Sequence, residues 1–321
     1  MKNNIITLVK VLVAAGLIAW LVKSGHLDFN QLMTIFTPTF LLLGYLVTLV
    51  NICINNFRWY ILLRCQGFAV TYWSTLKLSF IGLFFNLAMP GGVGGDLVKG
   101  YYTTQDYPER KLASAASIFI DRLIGFFSMV VVSLVALAAN YHLMDGKEDL
   151  RTLAIGAFAL FLIFGLILAL SFSGRSKNAF QSIFARLPGG KILQRLHEVF
   201  YEYRSHTGTL FLALILSVIS QSIAVIFFIL VGEAMGAAIP WQAYFFIVPV
   251  GLIAMAAPIA PAGIGVGQAA FLALFTMYLG YQSTIGPTAI TANQIVMLSW
   301  GVFGSIFYFR RKRPDFDKLA S

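Results

Sequence analysis

From Pro38 to Phe57 the chain runs for twenty residues without a charged side chain, and comparable apolar stretches recur along its length. About 20 mostly apolar residues are what a helix needs to cross the hydrocarbon core of a bilayer. With 59% of all residues hydrophobic and only 11% charged, this much apolar surface has to be buried in lipid rather than in a water-facing globule. The expected fold is an all-α polytopic membrane protein, residues 1–321 forming a single integral membrane domain.

Full spans are expected at Ile5 to Val22, Pro38 to Phe57, Ala113 to Ala139, Thr152 to Phe172, Thr209 to Val231 and Gly286 to Phe309, which makes about six crossings. Lys2 and Lys10 followed by the apolar run Val11 to Val22 resemble a secretion signal, but no small-residue cleavage site follows, so an uncleaved span is expected. Two further apolar stretches, about 76–100 and 241–280, are interrupted by Pro and clustered Gly and read as hairpins of half-helices. Basic residues in short loops favour the cytoplasmic side. Arg58, Arg64, Lys77, Lys99, Arg110, Lys111, the segment Arg175 to Arg204 and the segment Arg310 to Lys318 should face inward. Both termini are then cytoplasmic, the first hairpin dips in from the inside and the second from the outside. The loop at about 174–206 carries an apolar stripe through Ile192, Leu193, Leu196, Val199, Phe200 and Tyr203 with basic residues around it, as expected of a helix at the inner interface, either a connector whose charges fix topology or a site for anionic lipid.

A formal charge of +10 invites a nucleic-acid reading, yet the basic residues cluster beside apolar spans and form no basic domain. No nucleic-acid partner is expected. Cys53 and Cys65 match no disulfide or metal spacing, and His26, His142, His197 and His206 are scattered among loops. There is no phosphate-binding Gly-Lys loop, dinucleotide fingerprint, nucleophile elbow or His-Glu metal motif. Neither a cofactor nor an enzymatic activity is expected.

The string most informative about chemistry is Pro90-Gly91-Gly92-Val93-Gly94-Gly95-Asp96, followed by Lys99. Its four glycines break a helix at membrane depth, where open backbone is tolerated only if protein or a water-filled cavity surrounds it. A second string, Pro261-Ala262-Gly263-Ile264-Gly265-Val266-Gly267-Gln268, repeats the order Pro, small, Gly, β-branched, Gly. Two broken helices entering from opposite faces make a weak inverted repeat, which in transporters places the substrate between them. Exposed half-helix amides and Lys99 would favour an anion such as a phosphate-bearing headgroup. The alternative is packing, with Gly91 and Gly95 at Gly-xxx-Gly spacing and Pro90 making a kink.

Asp96 reads equally as a functional anion and as an N-cap. Asp121 and Arg122, inside the third span, are expensive there unless paired. Neighbours on a helix do not face each other, so separate partners are expected, Lys99 for Asp121 and Asp96 for Arg122, serving either a site or a structural clamp. Asn55, Asn56, Arg58 and Asn86 stand on the cytoplasmic approach to the expected cavity or anchor the interface there. Ser220, Gln221 and Ser222 read as interhelical glue or as cavity lining.

Taken together, Asn86 to Lys99, Asp121-Arg122 and Pro261 to Gln268 resemble the flippase-like family, the transmembrane region of lysylphosphatidylglycerol synthases, along nearly the whole chain. The family pattern pairs Asn and a Pro-Gly-Gly-x-Gly-Gly-Asp-x-x-Arg loop with an Asp-Arg span and a Pro-x-Gly-x-Gly-x-x-Glu loop. Here Lys99 replaces the usual Arg, keeping charge without the planar fork, and Gln268 replaces the usual Glu, so it carries neither proton nor negative charge. The resemblance implies a stand-alone lipid translocase of a bacterial-type cell membrane. Its substrate-binding set is Asn86, Gly91, Gly92, Gly94, Gly95, Asp96, Lys99, Asp121, Arg122, Gly263, Gly265 and Gln268. Two-part members add a cytoplasmic lysyl-transferase domain, which is not expected in a chain ending at Ser321. The expected partner is a membrane lipid, anionic or phosphate-bearing. Alternative readings are an accessory module presenting lipid to a separate transferase, and an ion-coupled transporter of a small anion.

Overall fold

A computed structural model describes residues 19, 21–23, 25, 29–86, 93–172, 202–257, 260 and 262–311. Most of the expected first span and of the 174–206 loop, and residues 87–92 with Gly91 and Gly92, lie outside them. The described residues form ten α-helices and no strand: α1 Phe29–Ile35, α2 Pro38–Cys65, α3 Tyr72–Asn86, α4 Gly94–Asp106, α5 Lys111–Ala139, α6 Glu148–Phe172, α7 Thr207–Ala234, α8 Trp241–Met255, α9 Val266–Leu279 and α10 Ile285–Arg310. Five stretches are long and apolar enough to cross a membrane: Pro38–Cys65, Pro108–Ala139, Glu148–Leu166, Tyr203–Ala234 and Ile285–Arg310. Large apolar side chains cover their outer faces, with Leu42 71%, Ile155 70% and Phe211 65% exposed, which water would not tolerate over so wide a surface. The chain is a multi-pass α-helical membrane protein.

Helix α2 starts where Thr37 Oγ1 accepts from the Phe40 amide and Pro38 supplies a preset backbone angle. It continues past Phe57 to Cys65 because Asn51, Asn55 and Arg58 find polar partners in the bundle, and it stops before Gly67 at φ +77°. The two interrupted stretches are pairs of short helices. At 15 residues each, α3 and α8 reach roughly 22 Å, short of the ~30 Å core.

Each pair folds back on itself. Phe68, before α3, meets Tyr107, after α4, with ring centroids 5.1 Å apart, and Arg110 donates to the Gln66 carbonyl. At the other end Gly82 of α3 packs on Gly95 of α4. In the second pair Tyr244 and Phe275 meet near the open end at 5.8 Å, while Met255 packs against Gly263 and Gly267 at the closed end. Both hairpins therefore begin and end on one side of themselves.

The order long helix, short helix, short helix, long helix occurs twice, as α2–α5 and as α7–α10. The first members run antiparallel: Phe40 meets Phe227, Asn51 bonds Ser220, and Leu62 bonds Tyr203 just ahead of α7. The two halves clasp reciprocally, since α3 of the first packs on α10 of the second and α8 of the second packs on α5 of the first. Helix α6 links the halves and lies against α5.

Candidate functional site

Between the two halves lies a cavity of about 330 Å³, lined by α2, α3, α4, α5, α7, α8 and α10. That is near the lower end of small-molecule sites, roughly 300–1,000 Å³. Five ionisable side chains line it: Arg58 from α2, Asp96 and Lys99 from α4, and Asp121 and Arg122 from α5. Three cations thus stand against two carboxylates.

Arg58 grips Asp121 through both guanidinium edges, Nε to Oδ1 at 2.7 Å and Nη2 to Oδ2 at 3.0 Å, with the side chains 7% and 16% exposed. Its remaining nitrogen, Nη1, donates to Ser217 Oγ at 2.5 Å, and Ser217 is tied to Ser128 at 2.6 Å. Such a buried fork needs its charged groups met, and here each guanidinium nitrogen and both carboxylate oxygens have a partner. Arg122 pairs with Asp96, as expected from the sequence. The expected partner of Asp121 was Lys99, and this is corrected: the planar guanidinium of Arg58 takes both carboxylate oxygens, which an ammonium cannot do. Lys99 makes no ion pair among the described residues, and its ammonium lies 4.9 Å from the centroid of the Trp59 ring.

One side of the cavity is open. The Arg122 side chain is 38% exposed. Phe119 and Phe126 share its face of α5 at the i−3 and i+4 positions, Phe119 exposed and Phe126 lining the cavity. Val93 and Leu97, beside Asp96 on α4, are exposed as well. Exposed apolar side chains thus neighbour the Arg122–Asp96 pair along both helices.

Compared with known proteins, residues 7–304 match the family described as lysylphosphatidylglycerol synthase TM region. The chain belongs to this family. It is also 22% identical over 341 aligned residues to a UPF0104 membrane protein of Methanothermobacter thermautotrophicus, covering 96% of this chain and 95% of the relative. No solved structure matches it.

In this lysylphosphatidylglycerol synthase TM-region chain the two glycine strings are used differently. Asn86, Asp96, Lys99, Asp121 and Arg122 come together around the cavity. Gly94 and Gly95 are buried in the first turn of α4 instead, and the Gly95 amide donates to Asn86 Oδ1 at 2.6 Å. A Cβ on Gly95 would lie 2.7 Å from the Gly82 carbonyl oxygen, so close backbone approach requires glycine there. Gly263 and Gly265, at φ +68° and +82°, turn the chain into α9 and are not among the residues lining the cavity. Gln268, 1% exposed, accepts from the Gly265 amide and donates to Thr291 Oγ1 at 3.0 Å and Gln294 Oε1 at 2.7 Å. Among the described residues, no group of three His, Cys, Asp or Glu is placed to hold a metal ion.

Sequence reasoning undervalued Arg58 and the amide face beside it. Asn51, Asn55 and Arg58 follow at i, i+4 and i+7, one stripe of α2, and that spacing was a signal available in the sequence. Asn51 Nδ2 donates to the Ser220 carbonyl and hydroxyl, and Asn55 Nδ2 to the Ser220 hydroxyl at 2.7 Å. Ser220 is therefore the glue, Ser222 bonds back to Val218 within its own helix, and Gln221 lines the cavity.

Proposed function

We propose that the chain is a lipid translocase that moves an anionic or phosphate-bearing lipid between leaflets of a cell membrane, the headgroup passing through the cavity while the acyl chains stay in the bilayer. What carries this reading is the mouth at Arg122. A site with one more cation than carboxylate, with exposed Val93, Leu97 and Phe119 close in sequence to Asp96 and Arg122 on the same two helices, suits a charged headgroup on an apolar tail better than a free anion. In this reading the two hairpins are re-entrant and rock against the long helices to expose the cavity alternately, and Lys99 and Arg122 hold the phosphate. Membership in a family named for a lipid-modifying synthase supports a lipid-related role.

The test is the purified chain in liposomes carrying fluorescent phospholipids, with inner-leaflet lipid followed as it becomes accessible to an impermeant quencher. Exposure faster than in protein-free liposomes, lost in Lys99→Ala and Arg122→Ala, is expected. Full rates in both variants would sink the assignment. The second reading, a module presenting lipid to a separate transferase, predicts no exposure by the chain alone and co-purification of an enzyme.

A further inference from the structure

The amide side of the cavity is unfinished. Gln221 of α7 is 7% exposed and lines the cavity, and its amide has no hydrogen-bond partner among the described residues. Asn293 of α10, only partly buried, lines the same cavity and likewise has no hydrogen-bond partner among the described residues. Asn55 uses its Nδ2 on Ser220 and Asn51, while no bond to its Oδ1 is present. Amides that face a cavity without protein partners have their hydrogen bonds left for water or a ligand. Asn56, lining the same wall, makes the contrast: its Nδ2 donates to the Tyr72 carbonyl and its Oδ1 accepts from Ser79, leaving it a structural tie.

Resting on the translocase reading, we infer that the lipid carries a hydroxyl-bearing headgroup on its phosphate, a polyol or sugar, and no amine. An amide presents a donor and an acceptor side by side, which is the pair of roles a hydroxyl plays, whereas an ammonium only donates. The electrostatics agree. Asp96 and Asp121 are each already engaged by an arginine, so an ammonium would enter a net-positive cavity and have to compete with a guanidinium for either carboxylate. The phosphate belongs to the Lys99 and Arg122 side, and the hydroxyls to Gln221 and Asn293.

The test measures binding to the purified full-length chain in detergent, by titration calorimetry, of four probes: short-chain phosphatidylglycerol, phosphatidic acid, phosphatidylethanolamine, and free glycerol 3-phosphate. Phosphatidylglycerol should bind about tenfold more tightly than phosphatidylethanolamine and about fivefold more tightly than phosphatidic acid, the scale of one or two hydrogen bonds. Gln221→Met, nearly isosteric, and Asn293→Leu should each bring that last ratio close to one, with thermal unfolding checking that both variants are folded. Equal binding of phosphatidylglycerol and phosphatidic acid, a preference that both folded variants keep, or tightest binding of phosphatidylethanolamine would overturn the inference. Glycerol 3-phosphate binding as tightly as the lipid would overturn the lipid part of it. The two readings fail separately: binding preference without translocation removes the translocase and leaves this inference, and translocation without headgroup preference does the reverse.

Discussion

In the first hairpin, Asp96 and Lys99 stand on the helix that leaves the glycine break, and both line the cavity. In the second, the helix at the equivalent place carries Gln268, whose amide turns to Gly265, Thr291 and Gln294. Both hairpins bring two short helices together through glycine, and both clasp a long helix of the other half. The polarity of α4 and the apolarity of α9 are what separate them, so shared architecture does not make the halves equivalent in chemistry. One hairpin presents charge to the cavity, and the other is held shut by neutral hydrogen bonds.

The largest expected effect tests whether the charged side is also a structural keystone. Arg58→Ala leaves Asp121 buried without its cation and should cost about 3–5 kcal/mol of stability, read by unfolding in detergent. Arg58→Met with Asp121→Leu should recover much of that loss, and failure to recover would assign the stability to Ser217 and Ser128 instead. Arg122→Ala, at a pair 38% and 18% exposed, should cost no more than about 1 kcal/mol while lowering lipid exposure in liposomes at least about tenfold, the equivalent of 1.4 kcal/mol. If stability and exposure fall together, the distinction between Arg58 and Arg122 disappears.

Gly95→Ala pits a Cβ against the Gly82 backbone at 2.7 Å and should destabilise by about 1–3 kcal/mol. Gly267→Ala, its counterpart in the second hairpin, meets the Met255 sulfur at 3.0 Å, and a flexible thioether yields, so the cost should be smaller. The reverse order in thermal unfolding would show that the second hairpin is the more tightly packed. Smallest is the effect on transport of Gln268→Leu. It should reduce stability by about 1–3 kcal/mol through the unpaired Gly265 amide and change lipid exposure in folded protein by less than about twofold, the size of a few tenths of a kcal/mol.

The membrane class, the two breaks and the pairing of Arg122 with Asp96 were legible in the sequence because each violates a rule of its surroundings: apolar runs too long for a globule, glycines inside them, and ions where lipid forbids ions. Arg58 was harder to see. At the polar end of an apolar run it looks like an ordinary boundary residue, and only the added turns of α2 beyond Phe57 bring it opposite Asp121. Gln268 and Gly95 were expected at the cavity because motif order fixes which residues stand near a break, but not which way each one faces. Helix phase and the neighbouring Thr291, Gln294 and Gly82 decide that, and none of them is adjacent in sequence.

The reciprocal clasp also bears on ancestry. Each half lays its first short helix against the other's last long helix, α3 on α10 and α8 on α5. Half of the chain alone would present an uncovered hairpin until it met a second copy running the other way. The molecule has the layout that a duplicated and joined half would give, two units alike in helix order and unlike in chemistry.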